Sequence, residues 1–171
     1  MASLASQYQK KTDKEHILDN PDTYIGSIEN VNGPMYVFEE GKIVNKTIDY
    51  NPGLFKLFDE GIVNCRDHVV RMIQKKETDD TTNLVNLIDI EIKDNTITLM
   101  NNGNGIDIEK HPTYDIWIPE LIFGHLRTST NYNKDEEKIT GGKNGFGFKL
   151  VLIWSTYGMI ETIDSVRKLK Y

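Results

Sequence analysis

Hydrophobic residues recur at helical spacing between residues 52 and 78. The apolar positions are Leu54, Phe58, Ile62, Cys65, Val69 and Ile73. At about 100° per residue these steps of three and four form one stripe, which predicts a long amphipathic helix beginning near Pro52 and ending before Thr78-Asp79-Asp80. Four polar residues fall together on the other side of this helix: Glu60, Asn64, Asp67 and His68. A polar face of this kind most often simply faces water.

A different period begins after this helix. Ile88, Ile90 and Ile92 alternate with charged residues, Asp94-Asn95 is a two-residue turn signal, and residues 96–100 alternate again. This pattern predicts a β-hairpin over residues 85–100 with one buried face.

The remaining elements are shorter. We predict a helical turn at residues 15–18 stopped by Asn20-Pro21, with extended chain from Tyr24, and two strands between Pro34 and Tyr50. Pro119 would sit at the first position of a helix over residues 120–126. Residues 150–154 read as a helix, and residues 158–163 and 166–171 as a strand and a returning strand.

Composition and charge narrow the class of protein. The chain has 171 residues, 27% charged and 38% hydrophobic, which is typical of one globular domain. No apolar run approaches the roughly 18 residues of a membrane span, and residues 1–11 lack the apolar core of a signal peptide. The chain has a single cysteine, Cys65, so an internal disulfide is excluded. These features predict an intracellular protein without a membrane partner. A net charge of -6 argues against this segment alone binding duplex nucleic acid.

The densest cluster of glycines precedes the helix at 150–154. It runs from Gly141 to Lys149 in the order Gly-Gly-Lys-Asn-Gly-Phe-Gly-Phe-Lys. Glycines allow several backbone N–H groups to converge, the helix start adds partial positive charge, and Lys149 adds a full one, which favours a phosphate chain as ligand. A flexible surface loop is the alternative from this stretch alone. The spacing fits neither a Walker A loop nor a kinase glycine loop, because Phe148, Lys149 and Leu150 stand where those motifs need Lys-Ser/Thr or a third glycine.

Three separated motifs together resemble one family. They are the helix with Glu60 and Asn64 one turn apart, the loop Asn102-Gly103-x-Gly105 after the hairpin, and the glycine loop ending in Lys149. The resemblance extends along almost the whole chain, through residues 15–18, 21–27, 58–60, 122–126, 140–142 and 144–145. With these motifs the chain is similar to the ATPase region of eukaryotic-type, or viral, type IIA DNA topoisomerases, in the superfamily shared by gyrase, a heat-shock chaperone, histidine kinases and the MutL repair proteins.

This resemblance implies a fold and a ligand. The fold would be α+β, a two-layer sandwich with helices on one face of a mixed β-sheet, and ATP would lie between the helices and a lid loop. Glu60 would act as the general base that polarises the attacking water, and Asn64 would complete the shell of a Mg²⁺ ion. Asn102 would accept from the adenine amino group, and Gly103 and Gly105 would let the backbone pass close to the base.

The resemblance also assigns the remaining site residues. Ser129, Thr130 and Asn131 would bond the ribose and phosphates, and Tyr24 would reach the partner's nucleotide in a dimer. The phosphate loop would comprise Gly142, Lys143, Asn144, Gly145, Phe146, Gly147, Phe148 and Lys149. Five positions depart from the common family pattern, namely Gly61, Cys65-Arg66, His68 and Phe148. His68 stands where an asparagine usually contacts nucleotide, and Phe148 stands at a position normally alanine.

Residues 1–27 are predicted to be an N-terminal arm and residues 28–171 the ATP-binding domain, truncated before a transducer domain. The implied function is ATP hydrolysis that couples dimer closure to DNA strand passage, with DNA contacted through absent downstream domains. The location would be the nucleus for a eukaryotic parent, or the host cytoplasm or virion for a viral one. The alternatives are a stand-alone nucleotide-binding or dimerisation module without turnover and a phosphotransfer kinase of the same superfamily.

Overall fold

A computed structural model describes residues 8–128 and 146–171, and the chain divides into two compact units, Met1–Leu57 and Phe58–Tyr171. The described helices are α1 (Asp13–Asp19), α2 (Pro21–Tyr24), α3 (Pro52–Thr78), α4 (Ile118–Gly124) and α5 (Gly147–Trp154). The described strands are β1 (Val31–Glu39), β2 (Lys42–Tyr50), β3 (Ile88–Lys93), β4 (Thr96–Asn101), β5 (Ile163–Asp164) and β6 (Leu169–Lys170). The predicted boundary at residue 27 stays a prediction.

In the first unit, α1 begins with a capping box. The Thr12 hydroxyl accepts from the Glu15 N–H, and the Glu15 carboxylate accepts from the Thr12 N–H. This reciprocal cap satisfies two backbone donors of the first turn. The predicted turn at 15–18 is confirmed, but the expectation of extended chain at Tyr24 is wrong. Pro21 begins the one-turn helix α2 there, because its fixed φ suits a first helical position.

The hairpin of the first unit follows the prediction closely. β1 and β2 pair antiparallel from Val31 with Tyr50 to Glu39 with Lys42. The turn between them places Glu40 and Gly41 at φ of 50° and 78°. Two residues with positive φ give the turn a twist that matches the strands.

The long helix α3 is confirmed, but both ends of the predicted apolar stripe are exposed and two buried residues lie outside it. Leu54 and Ile73 are 59% and 50% exposed, whereas Gly61, Cys65 and Met72 are buried. Cys65 belongs to the predicted stripe, whereas Gly61 and Met72 do not. Gly61 gives the reason. A Cβ built there would lie 2.3 Å from Leu99 Cδ1, so β4 reaches α3 where the helix carries no side chain.

The second hairpin, β3 and β4, pairs antiparallel from Ile88 with Asn101 to Lys93 with Thr96. Asp94 and Asn95 form the predicted turn, both with positive φ. The predicted buried face is wrong at the turn end, because Ile92 is 67% exposed. Only the end of the hairpin near Ile88 and Leu99 is partly covered.

The α+β class is confirmed, with strands that form three antiparallel pairs within the described part of the chain instead of one mixed sheet. The strand expected at residues 158–163 is also wrong except for its last residue, Ile163. The short β5–β6 pair depends on Asp164, which is 2% exposed. Its carboxylate accepts from the N–H groups of Ile108, Val166 and Arg167 and from the Arg167 guanidinium, all at 2.9 Å.

Asp164→Asn is expected to destabilise this unit by about 2–3 kcal/mol, because an amide nitrogen then faces backbone donors. Burial by itself raises the pKa of Asp164, but hydrogen bonds led by those from the Arg167 and Ile108 N–H groups lower it to about 2. The stabilisation is therefore present above pH 4 and is lost as the pH falls towards 2. Thermal unfolding at pH 7 and pH 2.5 measures both effects.

Asp107→Asn, at a 55% exposed partner of Arg167, is the control and should change little. Equal midpoints for the two variants at pH 7 would contradict the assignment.

Candidate functional site

Glu60 and Asn64 lie against the start of α5. A Cβ built at Gly147 would be 3.3 Å from Glu60 Oε2 and 3.9 Å from Asn64 Nδ2, so the first turn of α5 approaches both side chains closely. The Asn64 amide nitrogen donates to the Glu60 carbonyl at 2.6 Å, which leaves its oxygen as the atom suited to a cation. A carboxylate and an amide oxygen suit Mg²⁺, and the start of a helix suits phosphate. The residues present therefore fit a magnesium nucleotide.

Lys149, in the first turn of α5, is 6% exposed. Its ammonium donates to the carbonyl and hydroxyl oxygens of Thr128 at 2.8 and 2.7 Å. The Thr128 hydroxyl lies within hydrogen-bond distance of the carbonyls of Leu121 and His125. Lys149 thus ties the start of α5 to the end of α4. Burial lowers the pKa of the Lys149 ammonium to about 8.

Phe148 packs between helices. Its ring meets Phe123 of α4 edge to face, with centroids 5.8 Å apart and an interplanar angle of 81°. Its Cε2 would lie 3.5 Å from a Cβ at Gly61 of α3. Gly61 and Phe148, two of the departures from the family pattern, are therefore neighbours in the structure.

The Asn102 side chain is engaged by the segment that precedes β3. Its oxygen accepts from the N–H groups of Asn86 and Leu87, both at 3.0 Å, and its amide donates to Asn86 Oδ1 at 2.6 Å. An amide oxygen accepts two hydrogen bonds, so the expected adenine contact requires one of these to be released. That contact stays a prediction.

The two glycines of the same loop approach the protein's own chain. A Cβ at Gly103 would lie 2.8 Å from Val85 Cγ2, and one at Gly105 would lie 2.0 Å from the carbonyl oxygen of Ile163. Gly103 also has a φ of 98°. In the structure these glycines let the loop pack closely against residues 83–85 and 163. Their contact with nucleotide stays a prediction.

His68 binds this loop. Its Nε2 lies 2.6 Å from the carbonyl oxygen of Asn104, which can only accept, so Nε2 carries the hydrogen. Burial lowers the pKa of His68, which favours the neutral ring. The side chain therefore holds the Asn102–Gly105 loop against α3, one turn beyond Asn64.

The second unit thus brings together the start of α5 with Glu60 and Asn64, and the Asn102–Gly105 loop with His68. Tyr24 belongs to the first unit, where its hydroxyl lies 3.0 Å from His16 Nδ1. The predicted residues outside the described part of the chain are Ser129, Thr130, Asn131, Gly142, Lys143, Asn144 and Gly145. Their roles stay predictions.

Three contributors were missed from the sequence, namely Thr128, Phe123 and Asn86. Thr128 is a hydroxyl residue directly before the predicted residues Ser129, Thr130 and Asn131, so its type and place were visible. Phe123 and Asn86 carry no signal of this kind, since their role depends on which segment passes beside Phe148 and Asn102.

None of the helices within residues 8–128 and 146–171 combines the length and the apolar character that a membrane crossing requires.

Comparison with known proteins gives strong matches. The chain is 47% identical to DNA topoisomerase 2 of Acanthamoeba polyphaga mimivirus over an alignment of 175 residues. This alignment covers 99% of this chain and 13% of that protein. The crystal structure of the ATPase region of Saccharomyces cerevisiae topoisomerase II matches with a TM-score of 0.84 and 43% identity, over 98% of this chain and 43% of that one.

The ATPase and transducer domains of DNA topoisomerase II from Balamuthia mandrillaris match with a TM-score of 0.84 and 39% identity, over 99% of this chain and 41% of that one. No protein-family model matches the chain. The chain spans about an eighth of the length of its mimivirus relative. On this evidence it belongs to the family of type II DNA topoisomerases and corresponds to part of their ATPase region.

Proposed function

We propose that this chain binds ATP with Mg²⁺ and hydrolyses it as the ATPase region of a type II DNA topoisomerase. The observation that carries the proposal is the Glu60 carboxylate beside the start of α5, with Asn64 one turn along α3. The similarity to the yeast ATPase region supports the same ligand. The hydrolysis would transfer the γ-phosphoryl group to water, releasing ADP and phosphate.

Each residue has a separate role in this reaction. Glu60 accepts a proton from the attacking water as that oxygen bonds to the γ-phosphorus. Asn64 supplies an oxygen ligand to Mg²⁺, which when bound neutralises charge on the phosphates. The first turn of α5 stabilises phosphate through its partial positive charge, and Lys149 adds its own.

In the longer protein, this ATPase would drive closure of a homodimer and passage of one DNA duplex through another. Tyr24 would contact the nucleotide of the partner, and DNA would be held by domains beyond this chain. The relatives in cellular eukaryotes and in mimivirus support an intracellular location, in the nucleus or, for a viral protein, in the host cytoplasm or virion. A nucleotide-binding module without turnover is the alternative, and phosphate release distinguishes the two.

Isothermal titration with a non-hydrolysable ATP analogue tests the binding step. Binding by this chain should need Mg²⁺, and Asn64→Ala should weaken it about tenfold and reduce its dependence on Mg²⁺. Gln74→Ala, at an exposed position of the same helix, is the control and should bind like the original chain. No binding by a folded original chain would reject the nucleotide site.

Lys149 should make this affinity depend on pH. The pKa of its ammonium is about 8 in the folded chain, compared with 10.5 ordinarily. The nucleotide-free chain therefore loses this charge as the pH rises above 8. Affinity should therefore fall by up to about tenfold per pH unit above 8. Lys149→Met should bind more weakly and lack this difference between pH 7 and pH 9.5. Dividing the affinity of the original chain by that of Lys149→Met at each pH removes the effect of ligand titration. A ratio that stays the same at pH 7 and pH 9.5 would contradict the prediction.

A further inference from the structure

We infer that Phe148 is a positioning residue for the ATPase reaction, setting the distance between the Glu60 carboxylate and the first turn of α5. The inference rests on the proposed function. It arises from one contact, in which the Phe148 ring lies against α3 at Gly61, the residue that follows Glu60.

Leu99 occupies the position that a Cβ of residue 61 would take, and Phe148 lies beside it. A Cβ built on Gly61 would lie 2.3 Å from Leu99 Cδ1 and 3.5 Å from Phe148 Cε2, and Gly61 is buried. The first distance is below any normal carbon contact, so a side chain here would displace Leu99. The absence of a side chain at position 61 therefore lets Leu99 approach α3 next to the Phe148 ring.

The ring is also fixed on its other side. Phe123 of α4 meets it edge to face, a geometry favourable to aromatic pairs. Phe148 thus contacts α3 and α4 while belonging to α5. The next residue, Lys149, is held by Thr128, so two successive side chains fix the first turn of α5.

The ring contact and the carboxylate contact join the same two helices at successive residues. Glu60 and Gly61 on α3 face Gly147 and Phe148 on α5, and a Cβ built on Gly147 would lie 3.3 Å from Glu60 Oε2. Removing the ring would leave a cavity beside this contact and let α5 shift relative to Glu60. A displacement near 1 Å between reacting groups can cost about a hundredfold in rate.

Steady-state ATP hydrolysis by the full-length protein tests the inference. Phe148→Ala should lower kcat about 10- to 100-fold, while KM for magnesium ATP changes less than about threefold. Phe148→Leu, which refills most of the space, should recover most of kcat. Circular dichroism confirms that the variants are folded at the assay temperature. A kcat for Phe148→Ala equal to that of the original protein, or a loss confined to KM, would overturn the inference.

A double-mutant cycle in thermal stability tests the contact without nucleotide. Gly61→Ala and Phe148→Ala should each lower the unfolding midpoint of this chain, and the double variant should lose less than the two changes combined, because the vacated ring space accepts the displaced Leu99. Gly124→Ala combined with Phe148→Ala is the control and should be additive, since the described atom nearest a Cβ there, apart from its chain neighbours and its own helix backbone, is Glu120 Cγ at 3.8 Å.

The two experiments separate the possible failures. Additive effects at positions 61 and 148 would overturn the inference even in an active enzyme. If the original protein hydrolyses no ATP, the proposed function fails and the positioning role fails with it, whereas the cycle still measures whether the two residues share a site.

Discussion

Replacing Glu60 with glutamine is expected to lower ATP hydrolysis by about 10²- to 10⁴-fold, the range for loss of a positioned general base. Glutamine has the same shape, so its contact with Gly147 is retained, but its amide does not accept the proton of the attacking water. This loss corresponds to about 3–5 kcal/mol of activation free energy.

Phosphate release by the full-length protein measures this effect, and titration with the non-hydrolysable analogue measures affinity in parallel. Affinity should stay within about threefold, because the change leaves the ligands of the phosphates in place. Glu77→Gln, at an exposed carboxylate near the end of the same helix, is the matched control. Hydrolysis by Glu60→Gln at the original rate would remove Glu60 from the reaction as its general base.

The largest effect on stability is expected at Gly105. An added Cβ would lie 2.0 Å from the carbonyl oxygen and 2.6 Å from the carbonyl carbon of Ile163. Both atoms belong to backbone, so a side-chain rotation offers no relief and either the loop or β5 must move. We expect Gly105→Ala to cost about 3 kcal/mol or more, and to lower the unfolding midpoint by roughly 6–12 °C.

Thermal unfolding followed by circular dichroism measures this loss. Gly124→Ala adds the same methyl group to the same unit at normal contact distance and should change the midpoint by only about 1–3 °C. Similar midpoints for the two variants would mean that the loop and β5 separate without cost.

The sequence predicted turns and helices well where the residue types themselves set the backbone conformation. Asp94-Asn95 predicted the turn of the second hairpin, and both residues have the positive φ that such a turn requires. Helical spacing likewise predicted α3 and the polar pair Glu60 and Asn64. It did not predict which side of α3 is buried, because that depends on Leu99 approaching Gly61 from a distant strand.

The interior of the site could not be predicted in the same way. The family resemblance assigned Asn102 to the adenine amino group, but the chain itself uses both ends of this amide through Asn86 and Leu87. A periodicity describes one segment at a time and does not say which other segment lies beside it. The same limit explains why β5 is shorter than expected, since Asp164 is directed by bonds to Ile108 and Arg167.

The anchoring of the loop after β4 also bears on the order in which the protein folds during translation. The Ile106 N–H donates to the Thr162 hydroxyl and the Ile108 N–H to Asp164, each across 56 residues of sequence. At about 5–20 residues per second, a ribosome needs roughly 3–11 s to add that length. For this interval the Ile106 and Ile108 N–H groups lack these two partners, so the loop after β4 depends on its contacts with the earlier residues His68, Asn83 and Asn86.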